Sequence, residues 1–348
     1  MHLIRKLPRG RHGTERGGYV YPFRHSTIPL AALTAASGLA CLIASFCFLA
    51  RQASAQECTS YVVVSAFDRK TGDDIGDLNA GDFQALLGKR DVAVVSATQK
   101  FTDRLLVLLQ TDGTNNDRIE EVVDLATRMA RQAPEGKPLA FGVFVKKSAF
   151  TKGFITEQKS RALAISGLRE DEPNLGKQVH LYNALHEALK VFGRHQPGDS
   201  VLVITDGYDD GSEHSGVEVK NEYVNSGTRL FVSLRRTPSR VSGNFTWTSP
   251  EPLIHFVQRM SEITGGMYTM FSARDFGFAW EGYLLGIQTP DGVSPKHHKL
   301  KVRLQGAAAL EHKKVNLYFP ERLPDCSPPS ATASRQSEPV KPADADPQ

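Results

Sequence analysis

Cysteine is scarce in this chain, four among 348 residues, and the scarcity excludes more than it suggests. Cys41 and Cys47 fall inside an uncharged N-terminal stretch, which leaves Cys58 and Cys326 at the two ends of the remainder. Neither has a second Cys or a His at zinc-ligand spacing, so a zinc site is excluded. Excess charge of one sign is lacking too. The formal net charge of +4 resides in the first 55 residues, which hold seven Lys or Arg and one Glu. Residues 56–348 carry 35 basic and 37 acidic side chains, a net charge near −2. Nucleic-acid binding therefore has no basic surface to rest on. Internal repeats are absent, and so is a catalytic constellation. Ser200 of Asp199-Ser200 opens a strand without a nucleophile elbow. His180 and His186, six apart, do not share a helical face as an i, i+4 ligand pair would, and His297-His298 reads as the solvated start of a strand.

What the N-terminus does have is an export pattern. Arg5, Lys6, Arg9, Arg11, Arg16 and Arg24 precede an uncharged stretch from Ile28 to Ala50, and Ala53-Ser54-Ala55 supplies a small-residue cleavage site. Residues 1–55 read as a signal peptide, which predicts a secreted or periplasmic protein. The alternative is an uncleaved anchor, because a stretch of this length could span a bilayer and leave the protein N-terminally membrane-anchored. In an exported chain Cys58 and Cys326 are expected to pair.

The stretch that organises the rest is Arg104 to Asp117, RLLVLLQTDGTNND. Five consecutive apolar residues without alternation suit a central strand covered on both faces. A polar turn follows, then a helix whose Ile119, Val122, Val123, Ala126 and Ala130 share one face. Ser200–Ile204 is a second such strand, and it too runs into Asp-Gly, at Asp206-Gly207. Parallel strands ending alike would bring Asp112 and Asp206 together at the carboxyl edge of the sheet, where such folds bind ligands. Oxygen ligands there suit Mg²⁺, although Asp-Gly is also ordinary turn chemistry.

Strands and helices alternate through 103–275, the signature of a doubly wound, mainly parallel α/β domain. Tyr61–Phe67, Phe83–Leu87 and Val92–Ala97 precede it as hairpin-type strands. Glu281–Gln288, Lys299–Gln305 and Lys314–Phe319 follow it as strands with no helix between them. We expect 56–102 and 276–323 to form one small β-sandwich interrupted by the α/β domain. Residues 324–348, rich in Pro, Ser and Ala, read as a disordered tail.

Six motifs in order resemble the von Willebrand factor type A fold, specifically the VWFA-related family of bacterial secreted proteins. They are Leu78–Phe83 (LNAGDF), the LLVLLQTDGT strand and loop, Leu181–Leu185 (LYNAL), Val203–Asp210 (VITDGYDD), Thr264-Gly265-Gly266, and Glu281–Gly286 (EGYLLG). The resemblance implies a metal-ion-dependent adhesion site built on D-x-S-x-S, a Thr from a second loop and an Asp from a third. Here Gln110 takes the first Asp position, Asp112 and Thr114 the two Ser positions, and Val179 the Thr position; Asp206 alone is unchanged. The resemblance therefore implies a degenerate site of Asp112, Thr114 and Asp206, with no cofactor or with weakly held Mg²⁺. The same loop is similar to the D-x-D-G-T loop of haloacid-dehalogenase-type phosphatases, but Gln110 stands where the nucleophilic Asp would be and a carboxamide cannot take a phosphoryl group.

The function expected is recognition of a protein or other macromolecule by the carboxyl-edge loops, without enzymatic activity. Those loops are Thr111–Asn116, Lys177–His180, Tyr208–Ser215 and Arg235–Pro250. Arg235, Arg236, Arg240, Phe245 and Trp247 of the last are the contact candidates, since Arg and Trp are favoured interface anchors. Alternatively the loop is a flexible insertion. Two other functions stay open: a metal-dependent hydrolase using Asp112 and Asp206, and a structural envelope component.

Overall fold

In a computed structural model of the chain, the residues described are 58–99, 103–111, 116–171, 178–235, 239–241, 244–246, 251–270, 279, 281–289 and 297–324. The sequence expectations for the leader, the tail, Asp112, Thr114, Arg236, Trp247 and Cys326 fall outside them. The first strand, β1 (Cys58–Asp68), leads into β2 (Phe83–Leu87), β3 (Arg90–Val92) and β4 (Val94–Thr98). The α/β part follows: β5 (Leu105–Gln110), α1 (Asn116–Gln132), β6 (Leu139–Phe144), β7 (Ser148–Phe150), α2 (Gln158–Asp171), α3 (Leu181–Val191), β8 (Ser200–Thr205), α4 (Gly216–Ser226) and β9 (Arg229–Leu234). Then come a hairpin of β10 (Ser239–Val241) and β11 (Asn244–Thr246), α5 (Glu251–Ile263) and β12 (Tyr268–Met270). The chain closes with β13 (Tyr283–Thr289), β14 (Leu300–Leu304), α6 (Gly306–Glu311) and β15 (Val315–Tyr318).

Six strands form the main sheet in the order β12-β9-β8-β5-β6-β7, parallel except for β7, an antiparallel edge strand. Every residue of β5, β6, β8 and β9 is buried. That is what apolar runs without alternation require, because helices must cover both faces. The covering side chains include Val122, Leu125 and Met129 from α1, Ile165 and Leu168 from α2, Leu185 from α3, Tyr223 from α4 and Val257 and Met260 from α5. Within the sheet the strand order reverses between β5 and β8. This switch point is where an open α/β sheet leaves a crevice beyond the carboxyl ends of its strands.

Both chain ends build two smaller antiparallel sheets, β15-β1-β13-β4 and β14-β2-β3. In β1, Cys58–Val64 pairs with β13 and Ser65–Asp68 with β15. A separate cluster joins side chains of both sheets, among them Val62, Val64, Phe83, Leu87, Tyr283, Leu285, Leu300 and Val302. Tyr283 is fully buried; its hydroxyl donates to the Ile75 carbonyl and accepts from the Leu78 amide. Two expectations need correction here. The segment 92–97 is not one strand: the chain leaves the three-stranded sheet at Val92 and joins the four-stranded one at Val94. And the closing strands are not free of helix, because Gly306–Glu311 forms a short one whose Ala308 is buried. Six residues are too few to display a helical period, although GAAALE is rich in helix formers.

The Thr264-Gly265-Gly266 motif is a seam between the two parts. Thr264 Oγ1 accepts from the Leu230 amide, and Thr264 bridges to Pro320. A Cβ on Gly266 would lie 1.9 Å from the Leu230 carbonyl oxygen. Gly265 has φ +77°, and its Cβ would meet the backbone of Phe319–Pro320. Gly266→Ala should therefore cost about 3 kcal/mol, seen as a melting midpoint lowered by roughly 6–10 °C. Gly153, also left-handed but with nothing within 4 Å of its Cβ position, should lose only about 1–2 kcal/mol as Ala. Equal losses at the two positions would show that the close approach at Gly266 is not what selects glycine.

Candidate functional site

The switch point is framed by the last residues of β5 and β8. Gln110 and Thr205 are both buried. Gln110 Oε1 accepts from Thr205 Oγ1 at 2.5 Å and from the Asp206 amide at 3.1 Å. Thr205 Oγ1 accepts in turn from the Gly207 amide. A backbone amide can only donate, so the Asp206 contact fixes which end of the carboxamide is oxygen. The Nε2 end therefore faces elsewhere. It is buried and, like Thr111 Oγ1, has no hydrogen-bond partner among the described residues. A buried polar atom left without a partner costs about 1–3 kcal/mol.

Asp206, the one unchanged position of the expected metal set, is half-buried and uses Oδ1 to accept from the Tyr208 amide. With Gly207 at φ +84° this is an Asx-type turn, the ordinary role of Asp-Gly. Val179 packs into the apolar core and offers no side-chain oxygen. The described residues do not fit a hard cation: Gln110 presents N–H protons where a ligand oxygen would be needed. The Arg235 guanidinium reaches the Gln110 carbonyl at 3.5 Å, adding positive charge. Among the described residues no group of three or more His, Cys, Asp or Glu could hold a metal.

Acidic residues that sequence reasoning passed over turn out to organise the edge. His180 precedes α3 but makes no side-chain cap. The caps come from another loop: Asp209 Oδ1 accepts from the Tyr182 amide and Ser212 Oγ from the Asn183 amide. Asn183 Oδ1 in turn accepts from the His214 amide. Asp210 Oδ2 accepts from the Val179 amide, while its own amide donates to the Val179 carbonyl. Burial, and secondly the nearby Asp209, push the Tyr182 phenol up to about 12, so it stays neutral. The one signal for these roles was the weak N-cap at His180, since a helix start lacking Ser, Thr, Asp or Asn must find its acceptors elsewhere.

Of the contact candidates, Arg235 sits just past β9, with its amide donating to the Thr205 carbonyl. The expected long loop contains the β10–β11 hairpin, in which Arg240 pairs directly opposite Phe245. Cys58 opens β1 and is disulfide-bonded.

No protein-family model matches the sequence, and no curated protein does. Among solved structures the chain is similar to conserved hypothetical protein BatB of Bacteroides thetaiotaomicron, with 17% identity over 49% of this chain and 90% of that one at TM-score 0.38. It is also similar to proximal thread matrix protein 1 of the mussel byssus, with zinc in its MIDAS motif: 13% identity, 56% and 50% of the two chains, TM-score 0.42. A third is a von Willebrand factor type A protein from Catenulispora acidiphila: 11% identity, 63% and 48%, TM-score 0.37. Likeness at these values concerns no more than the fold, which the strand order already gives. The α/β part is a doubly wound, mainly parallel sheet.

If Asp209 is a cap supplied from outside α3, Asp209→Ala should destabilise by about 1–2 kcal/mol. Urea unfolding checks the magnitude, and faster hydrogen exchange at the Tyr182 amide locates it. Stabilisation of the unmodified protein by millimolar Mg²⁺ that Asp209→Ala abolishes would instead make Asp209 a ligand.

Proposed function

We propose that this is an exported binding protein that recognises a macromolecular partner at the carboxyl edge of its main sheet, without needing a metal. The observation that carries the proposal is the use made of the edge's acidic groups. Asp206, Asp209 and Asp210 are each hydrogen-bonded to loop or helix amides, which suits a surface held in shape for docking. A hydrolase using Asp112 and Asp206 would need Asp206 turned toward a reacting atom and a general base beside it. The excursion between Arg235 and Pro250, with its hairpin pairing Arg240 and Phe245, is the contact we assign to the partner.

On this proposal the two small sheets form one β-sandwich in which the α/β domain is inserted, between 56–102 and 276–323. Support comes from their common cluster and from the passage of the chain at Ala93 from one sheet into the other. Export would remove residues 1–55 and give the secreted or periplasmic form. Among the described residues no helix is long and apolar enough to cross a membrane. We further propose that Cys58 is bridged to Cys326. Ser60 Oγ donates to the Pro324 carbonyl at 3.1 Å, two residues from each cysteine. Closing so long a loop would contribute about 5 kcal/mol on the chain-entropy model.

The immobilised protein should capture the same partner from an extract with EDTA as with Mg²⁺. Trp247→Ala or Arg240→Ala should weaken capture roughly tenfold or more, as hot-spot truncations do. Capture that disappears in EDTA, or that neither substitution weakens, would remove the reading. Non-reducing peptide mapping should find Cys58 and Cys326 in one linked pair; two free thiols in oxidised, exported protein would reject the bridge.

A further inference from the structure

Asp103 and Lys137 stand at matching places on neighbouring strands, at the end of the main sheet away from the switch point. Leu105 of β5 and Leu139 of β6 are direct partners in the parallel ladder, and each charged residue lies two positions ahead of one of them. The Leu105 amide donates to the Pro138 carbonyl, which carries the pairing past the strand ends toward them. Strands of a sheet run about 4.8 Å apart, and the two side chains meet: Lys137 Nζ is bonded to Asp103 Oδ1. The contact is dry, with 7% of the lysine side chain and 4% of the aspartate exposed. An ammonium is badly provided for there. It has three protons to donate, and among the described residues it has one acceptor, Asp103. Burial raises the pKa of the carboxyl and lowers that of the ammonium, further than their mutual attraction restores them. The Arg229 guanidinium lowers both, and so acts against the charge on Lys137. The pair is thereby drawn toward a carboxylic acid beside a free amine, the two forms that condense to an amide. The amide has one N–H to satisfy and no charge to bury.

We propose that Lys137 and Asp103 join in an isopeptide bond, a self-made cross-link between the amino ends of β5 and β6. Lys137 Nζ attacks Asp103 Cγ and the N–C bond forms. The C–OH bond then breaks, and the hydroxyl leaves as water with a proton from the nitrogen. The Arg229 guanidinium supplies positive charge for the oxyanion of the tetrahedral intermediate. No oxidant, cofactor or second protein takes part. The link closes a loop that contains α1, so that β5 and β6 stay side by side even when the rest of the sheet opens.

The test is a peptide map of the purified protein, reduced, denatured and digested with trypsin. Residues 101–104, which hold Asp103, should emerge joined to residues 132–146, which hold Lys137. The branched peptide should be about 18 Da lighter than its two parts together, the mass of one water. The peptide decides rather than the intact mass, because cyclisation of an N-terminal Gln56 would lower the intact mass as well. Lys137→Arg keeps the positive charge without the nucleophilic amine, and it should yield no branched peptide. If that variant does not fold, the map of the unmodified protein still gives the answer. Peptides 101–104 and 132–146 found separate and at full mass in the unmodified protein would show an ion pair only and overturn the proposal. So would a branched peptide that persists in Lys137→Arg.

Discussion

A buried cation ties the fold together. Arg229 opens β9 and is fully buried; its Nε donates to the Gly265 carbonyl and a terminal nitrogen donates to Ser65 Oγ at 2.7 Å. Its guanidinium lies 4.6 Å over the Phe231 ring. Burial lowers its pKa to about 10, against the pull of Asp103, so it remains charged at neutral pH. A buried charge persists only where its hydrogen bonds are met, so the three groups around Arg229 must hold their places. Gly265 belongs to the seam, Ser65 to β1, and Ser65 passes a bond on to the Glu281 carbonyl just ahead of β13. One side chain thus ties the parallel sheet to strands from both ends of the chain.

Other buried charges gather at the same, amino end of the sheet. Lys137 pairs with Asp103; burial pushes the carboxyl up and the ammonium down, and each opposes the other's shift. Arg104 makes a two-pronged bond to Asp199 and caps the carbonyls of Phe192 and Arg194. These pairs are costly to bury and costlier to break, because removing one partner strands the other. The amino end is therefore held by buried ion pairs, and the carboxyl end by hydrogen bonds between loops, among them the reciprocal pair of Asp210 and Val179.

Much of this was readable in advance where the backbone period carries the information. LLVLL and SVLVI announce buried strands because only a doubly covered sheet tolerates five apolar or small residues in a row, and all ten positions are buried. The change of sheet at Ala93 was not readable, since alternation continues across it. The Asp206–Ser215 loop was misleading for a different reason. A run such as Asp-Gly-Tyr-Asp-Asp-Gly-Ser has the composition of a ligand set and of a capping set alike, and which it is depends on a helix that begins 25 residues earlier in the chain. Where Asp112 and Thr114 sit relative to Gln110 lies outside the described residues, so the expected three-residue metal set was neither assembled nor dispersed by the structure.

At the switch point a single atom type decides the chemistry. A glutamate at position 110, equal in length to glutamine, could accept from Thr205 and the Asp206 amide with one oxygen and offer the other, carrying negative charge, to a cation. Glutamine keeps the first half of that arrangement unchanged, with Oε1 bonded to Thr205 Oγ1 and the Asp206 amide. In place of the second oxygen it offers two N–H protons, which reverses the sign of what can approach. The reversal is inexpensive to the fold, because the anchoring bonds survive, and it is complete for the ligand, because an amide nitrogen has no lone pair for a metal. Arg235 beside the Gln110 carbonyl acts in the same direction. At position 179, the second-loop position of the expected ligand set, Val179 is packed into the core and offers no side-chain oxygen.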